Sequence, residues 1–205
     1  MTRSLAAPSQ RPAKPRLWLV RHAQPQVATG VCYGRLNLPA DPAASRLAAA
    51  ALHQAHPEPW AQARCSPLQR CEQFGLDLQA LEPDLPLHAD DRLTEIDFGT
   101  WEGQAWDSVG RAAIDAWTQN FAHYRPGGGE PLTSMLARVG AALCDARAAA
   151  WQSRSDVLWI THAGVVRCVA WLLACETRLP LSHEWTAPAP GYGAWMTFTL
   201  PSPEH

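Results

Sequence analysis

Short runs of apolar residues alternate with longer helical patterns along the chain. Leu17–Val20 and Val157–Ile160 are apolar at every position, which is typical of strands buried on both faces of a sheet. Two shorter strands are predicted at residues 63–66 and 85–90. A last strand is predicted at 192–200, where polar and apolar positions alternate.

The segments between these strands have the composition and the end signals of helices. Ser66 followed by Pro67 predicts a helix that has Ser66 as its N-cap and Pro67 as its first residue. The helices are predicted at residues 42–56, 66–81, 111–122, 132–151 and 164–175.

Strands that alternate with helices predict βαβ units and a mainly parallel sheet with helices on both faces. The expected fold class is therefore α/β, a three-layer α/β/α sandwich. An irregular stretch rich in Trp and Gly, at about 95–131, predicts a small cap insertion. Residues 1–16 are predicted to be a flexible tail and 17–205 a single domain.

Composition excludes several classes of function. The chain has 205 residues and a formal net charge of -2, so it lacks the basic surplus of a nucleic-acid-binding protein. No apolar run approaches the roughly 20 residues of a membrane span, and the first 16 residues lack the apolar core of a signal peptide. Six cysteines occur without a C-x-x-C pair. We expect a cytoplasmic protein with no nucleic-acid or membrane partner.

The two buried strands end in the same way. "LWLVRHA" delivers Arg21 and His22, and "VLWITHA" delivers His162. Ligands of open α/β sheets bind beyond the carboxyl ends of the strands. If the two strands are neighbours, both histidines therefore lie at one pocket.

Four stretches bring candidate chemistry to that pocket: "RHA" at 21–23, "SPLQR" at 66–70, "TEIDFGTWEG" at 94–103 and "THAG" at 161–164. Arg21 and Arg70 suit a phosphoryl group, because a guanidinium binds it in a forked geometry. A histidine in such a pocket is a candidate nucleophile, and Glu95 is a candidate general acid and base. Asp97 and Glu102, which lie close to Glu95 in sequence, are alternatives for that role.

These stretches and their order resemble the histidine phosphatase superfamily, in its phosphoglycerate mutase-like branch. The resemblance implies that His22 is the phosphorylated nucleophile and that Arg21, Arg70 and His162 complete the phosphate pocket. It implies that Glu95 is the proton donor. It also implies hydrolysis of a small phosphomonoester without a metal or other cofactor, since arginines and histidines supply the positive charge.

Two departures from the family's pattern affect the expected contacts. Pro25 and Ala28 stand where the family has a Thr or Ser and an Asn, so these phosphate contacts are missing. The loop "GVCYG" resembles that of α-ribazole phosphatase-like members, which act in cobalamin lower-ligand assembly. It predicts Cys32 and Tyr33 as substrate contacts. Trp101 or Trp106 is the candidate partner of Tyr33 in stacking on a flat base.

Three other functions remain open. A phosphoglycerate mutase-type phosphotransferase would need further basic residues for the substrate's carboxylate, and the cap has only Arg111 and Arg125. A non-catalytic module that binds phosphorylated ligands would be expected to lack His22 or Glu95, and both are present. A protein phosphohistidine phosphatase would need an open site rather than a capped one.

Overall fold

The fold is a five-stranded mixed sheet between two layers of helices. The computed structural model describes residues 14–175 and 178–203. Most of the predicted tail, residues 1–13, lies outside the described residues, and Arg16 is already the first residue of a strand. The strands are β1 (Arg16–Arg21), β2 (Gln62–Cys65), β3 (Leu87–Ala89), β4 (Val157–Thr161) and β5 (Trp195–Thr199).

The strand order is β3-β2-β4-β1-β5, and only β5 runs antiparallel to its neighbour. The predicted mainly parallel sheet is therefore confirmed, and β1 and β4 are adjacent at its centre. Trp18 and Trp159 are both buried, but they pack in different cores on the two faces of the sheet. The reason is the register, which pairs Leu19 with Trp159.

Helices cover both faces of the sheet, which confirms the three-layer sandwich. The helices are α1 (Pro42–Ala55), α2 (Gln69–Gln79), α3 (Arg111–Gln119), α4 (Leu132–Ser153) and α5 (Ala163–Cys175). α1 and α2 pack on one face, and α4 and α5 pack on the other. None of the helices in the described part of the chain has the length and hydropathy needed to cross a membrane.

The predicted start of α2 was wrong. The N-cap is Leu68 rather than Ser66, and the N–H of Gln69, the first helical residue, donates to the side-chain oxygen of Asn37 at 2.8 Å. The Ser66 hydroxyl lies 2.8 Å from the imidazole Nε2 of His162, which is 96 residues away in sequence. A tertiary contact therefore takes the side chain that the local sequence offers as a cap.

The stretch between Glu95 and α4 forms short 3₁₀ turns around α3, and it has an aromatic core of its own. Its turns are Gly99–Trp101, Trp106–Ser108 and Pro126–Gly128. Trp106 and Trp117 stack with their ring centroids 6.3 Å apart. A β-bridge between Val31 and Ala105 joins this stretch to the loop after β1. It thus lies over the strand end that carries His22.

Candidate active site

The parallel pairing of β1 and β4 brings the two strand ends together. Arg21 pairs with Thr161, so His22 and His162 leave the sheet side by side. Their ring centroids are 5.1 Å apart. The register therefore confirms the expectation that the similar ends of β1 and β4 lie at one place.

The imidazole of His22 is held in one tautomer by two neighbours. Its Nδ1–H donates to the carbonyl oxygen of Ala23 at 2.7 Å. Its Nε2 then carries the lone pair and accepts a hydrogen bond from Nε of Arg70 at 3.2 Å. Burial, reinforced by the positive charge of Arg70, lowers the pKa of His22 to about 3. The ring is therefore neutral near pH 7, and Nε2 is an available nucleophile.

Arg70 is a fully buried cation that is held by backbone carbonyls. Its Nη1 donates to the oxygen of Leu36 at 2.8 Å, and its Nη2 donates to the oxygen of Gly34 at 2.6 Å. No ion pair to a carboxylate is found for it within residues 14–175 and 178–203. Its full charge therefore remains to attract an anion beside His22.

Arg21 is positioned by a tyrosine that the sequence reasoning missed. Its guanidinium carbon lies 3.8 Å from the ring centroid of Tyr192, and its Nη1 donates to the oxygen of Pro190 at 3.2 Å. The hydroxyls of Tyr192 and Tyr33 are 2.6 Å apart. Tyr192 lies in the loop before β5 and belongs to no recognisable motif; only the pairing of β5 with β1 brings it here.

His162 lies behind His22 and does not line the cavity that opens above His22. Its Nε2 is 2.8 Å from the Ser66 hydroxyl and 3.5 Å from the sulfur of Cys71. It is completely buried, and burial together with the charge of Arg70 lowers its pKa well below the usual range. It is therefore a neutral imidazole that lies next to the ring of His22.

The carboxylate of Glu95 is held at the N-terminus of α5. Its Oε2 accepts from the backbone N–H of Gly164 at 2.9 Å, and its Oε1 accepts from the N–H of Ile96 at 3.0 Å. A Cβ atom at Gly164 would collide with this carboxylate. Only a glycine therefore permits this approach of Glu95. The other candidate acids are engaged elsewhere, since Asp97 accepts from the N–H of Gly99 and Glu102 from that of Phe98.

A cavity of about 400 Å³ opens above these groups. One end carries Arg21, His22, Arg70 and Glu95. Most of the remaining wall is apolar or aromatic, and it includes Val31, Phe98, Trp106, Trp117, Met135 and Trp185. The site thus joins a cationic end for a phosphoryl group to a large apolar space.

Some predicted contacts lie elsewhere. Cys32 is fully buried against Trp101 and Val109, and it is not among the residues that line the cavity. The loop after β1 turns its side chain away from the site, so we no longer assign it to the substrate. Tyr33 and Trp106 do line the cavity.

The cavity also contains an arginine that the sequence reasoning had not assigned. Arg167, on α5, lines the wall, and its Nε donates to the oxygen of Ala187 at 3.1 Å. In contrast, the cap cations lie outside the lining: Arg111 pairs with Asp115, and Arg125 donates to the oxygen of Gly129. The sequence feature that could have identified Arg167 as a lining residue is its position five residues after His162.

Among the described residues, no group of three potential metal ligands occurs.

A parallel sheet with histidines and arginines at its carboxyl edge defines an α/β enzyme that handles phosphate. The chain belongs to the histidine phosphatase superfamily (branch 1), which it matches over residues 17–198. It is a phosphatase of that family, and its substrates are small phosphorylated molecules. No curated protein matches the sequence.

Solved structures of phosphatases share the fold. The α-ribazole phosphatase of Shigella flexneri is 25% identical, with a TM-score of 0.72 and 89% of each chain covered. A candidate α-ribazole-5′-phosphate phosphatase from Escherichia coli is 25% identical, with a TM-score of 0.72 over 90% of this chain and 89% of that one. A mycobacterial glucosyl-3-phosphoglycerate phosphatase is 22% identical, with a TM-score of 0.72 and 89% of each chain covered.

Proposed function

We propose that the protein hydrolyses a phosphomonoester in two steps through a phosphohistidine on Nε2 of His22. The observation that carries this proposal is the fixed tautomer of His22, whose Nδ1–H is held by the carbonyl of Ala23. When a phosphoryl group binds, Arg21 and Arg70 donate to its non-bridging oxygens, and the lone pair of Nε2 is released from Arg70. The nitrogen attacks phosphorus, the P–N bond forms and the bond to the leaving oxygen breaks.

Glu95 is the proposed proton carrier in both steps. Protonated, it gives its proton to the leaving alkoxide, so that an alcohol departs. Its carboxylate then takes a proton from water while the water oxygen attacks phosphorus. The P–N bond breaks, inorganic phosphate leaves, and Glu95 is again protonated. The hydrogen bond from Gly164 holds the carboxylate in place throughout.

The intermediate is testable by trapping. Acid-sensitive, base-stable label should remain on the protein after rapid quenching with a labelled phosphomonoester, and mass spectrometry should locate it on His22. Activity should survive exhaustive treatment with EDTA. Label on another residue, or activity that EDTA removes and a divalent ion restores, would contradict the proposal.

The apolar part of the cavity supports a leaving group with a flat ring, and α-ribazole 5′-phosphate has this shape. Tyr33 and Trp106 both line the cavity, and aromatic stacking contributes about 0.5–1.5 kcal/mol per contact beyond area burial. Two contacts together correspond to roughly a fivefold to hundredfold preference. We expect a higher kcat/KM for this substrate than for ribose 5-phosphate, which lacks only the base. Trp106→Ala and Tyr33→Ala should shrink the difference, whereas equal values in the wild type would exclude recognition of the base.

Arg167 favours a second candidate, a phosphorylated sugar acid whose carboxylate this arginine would bind. The Arg167→Met variant separates the two candidates. It should lower kcat/KM for 3-phosphoglycerate by at least about tenfold if the carboxylate is recognised. It should leave the ratio between ribazole phosphate and ribose 5-phosphate unchanged.

A further inference from the structure

Arg138 binds the backbone of the segment that carries Glu95. This arginine lies on α4, and its side chain is 18% exposed. Its Nη1 donates to the carbonyl oxygens of Arg92 and Thr94 at 2.8 Å and 2.7 Å. Its Nη2 lies 3.4 Å from the carbonyl oxygen of Glu95 itself. One guanidinium thus joins three carbonyls of residues 92–95, where the 3₁₀ turn Asp91–Leu93 ends with a hydrogen bond from the N–H of Thr94 to the oxygen of Asp91.

Glu130 holds Arg138 in this orientation. Its two carboxylate oxygens accept from Nε and Nη2 of Arg138, each at 2.8 Å, in a forked ion pair. The backbone N–H of Glu130 donates to the oxygen of Asp97 at 2.8 Å. The "PGGGE" loop before α4 therefore fixes the Glu95 segment twice, directly through Asp97 and indirectly through Arg138.

The side chain and the backbone of Glu95 are thus fixed by different elements. Its carboxylate is bound by Gly164 of α5, and its carbonyl faces Arg138 of α4. Neither Arg138 nor Glu130 lines the cavity. We propose that Arg138, oriented by Glu130, is a positioning residue that sets the distance between the acid Glu95 and the leaving oxygen, an inference that rests on the proposed role of Glu95 as proton donor.

A partly buried ion pair by itself is weak evidence for such a role, because desolvation can cancel its contribution to stability. The other hydrogen bonds of Arg138 are the evidence for positioning. Among the described residues, all hydrogen bonds of its guanidinium that do not go to Glu130 go to carbonyl oxygens of residues 92–95. Misplacing a general acid slows the reaction most for leaving groups that need a proton. General destabilisation would instead slow all substrates equally.

The test compares an alkyl phosphate with p-nitrophenyl phosphate, whose leaving group needs little protonation. The quantity compared is kcat/KM, which reports formation of the phosphohistidine and excludes its hydrolysis, the step that both substrates share. Glu95→Gln should lower kcat/KM for the alkyl phosphate by about 100-fold or more and for the aryl phosphate by only a few-fold. Arg138→Met should change the ratio of the alkyl to the aryl kcat/KM by about tenfold. In the double variant, Arg138→Met should change the ratio by less than about twofold, because the acid is already absent.

Arg147→Met is the matched control. Arg147 lies on the same helix, and it donates to the carbonyl oxygens of Pro201 and Ser202, away from the cavity. This variant should leave the ratio unchanged. Should Arg138→Met fail to fold, Arg138→Lys and Glu130→Gln supply the test, since each keeps part of the hydrogen bonding between the two side chains and should shift the ratio in the same direction by a smaller factor.

The outcomes are distinguishable. If Glu95→Gln is selective for the alkyl phosphate but all variants at Arg138 and Glu130 slow both substrates equally, the positioning role is overturned and the proposed mechanism stands. If Glu95→Gln itself slows both substrates equally, the role of Glu95 fails and the positioning role fails with it. Selective loss that disappears in the Glu95→Gln background supports both.

Discussion

The ends of β1 and β4 have nearly the same sequence and different surroundings. The histidine after β1 lines the cavity and accepts from Arg70. The histidine after β4 is completely buried, and it lies against Ser66 and Cys71. A shared strand-His-Ala pattern therefore delivers two imidazoles to one place but only one of them to the substrate side.

The difference arises from the path of the chain after each histidine. After His22 the chain continues as an irregular loop, in which Pro25 forms an isolated bridge with Ala40. After His162 the chain enters α5 at once, and Gly164 at the start of this helix binds Glu95. The first histidine thus lines the cavity as the proposed nucleophile, whereas the second lies beside it and is followed by the helix that binds the proposed acid.

The largest expected effect comes from removing each histidine in turn. His22→Ala should lose activity by at least about 10⁴-fold and form no phosphoenzyme, because the nucleophile is absent. His162→Ala should lose about 10²–10³-fold, the usual effect of removing one preorganised polar group, and should still become labelled on quenching. Equal losses, with label absent from both variants, would contradict the different roles. Circular dichroism should show that both variants are folded.

Gly164→Ala should have the next largest effect. A Cβ atom there would meet the Glu95 carboxylate and would lie 3.1 Å from Cε of Met135, so the acid has to move. We expect about a 10–100-fold loss of kcat/KM, which reports the first step, on an alkyl phosphate and little change in kcat/KM on p-nitrophenyl phosphate.

Gly140→Ala is the matched helical control for that variant, since its Cβ would contact only Leu172, at 3.7 Å. It should leave both activities unchanged. An unaltered alkyl phosphatase activity in Gly164→Ala would show that the close approach of Glu95 to α5 has no part in catalysis.

The central strands were predictable because their signal is local. A strand buried on both faces must be apolar throughout, and Leu17–Val20 and Val157–Ile160 are. Their parallel direction follows from the intervening helices, but the meeting of His22 and His162 was predicted only on the condition that the two strands are neighbours, which the pairing of β1 with β4 confirms.

The predictions that were wrong, and the residues that were missed, depend on contacts distant in sequence. Ser66 looked like a helix cap, but its hydroxyl binds His162. Cys32 lies ten residues after His22, yet its side chain turns into a cluster with Trp101. Tyr192 packs on Arg21, from which it is 171 residues away in sequence, and no local sequence pattern predicts such a contact.

A smaller effect is expected from Ser66→Ala, which removes the hydroxyl that holds His162. The loss of one hydrogen bond is worth about 0.5–1.5 kcal/mol, so kcat should fall by roughly twofold to tenfold. The variant should behave as a weak version of His162→Ala and keep the phosphoenzyme. In the His162→Ala background the same change should have almost no effect on kcat. Additive losses would show that Ser66 acts through the N-terminus of α2 rather than through His162.

The last comparison concerns stability rather than activity, and here the two histidines should behave alike. Burial lowers the pKa of His22 to about 3 and that of His162 well below its usual value. Below about pH 6.5 the unfolded chain therefore binds more protons at these positions than the folded chain. The stability they contribute is fully present above about pH 6.5, and it is lost as the pH falls. At pH 5 the loss at His22 is about 2 kcal/mol, or roughly 4–8 °C in Tm for a chain of this size, and the loss at His162 has the same sign.

The drop in Tm from pH 7.5 to pH 5 should consequently be smaller in His22→Ala and in His162→Ala than in the wild type. An unchanged drop in one variant would show that its histidine is protonated in the folded protein at pH 5.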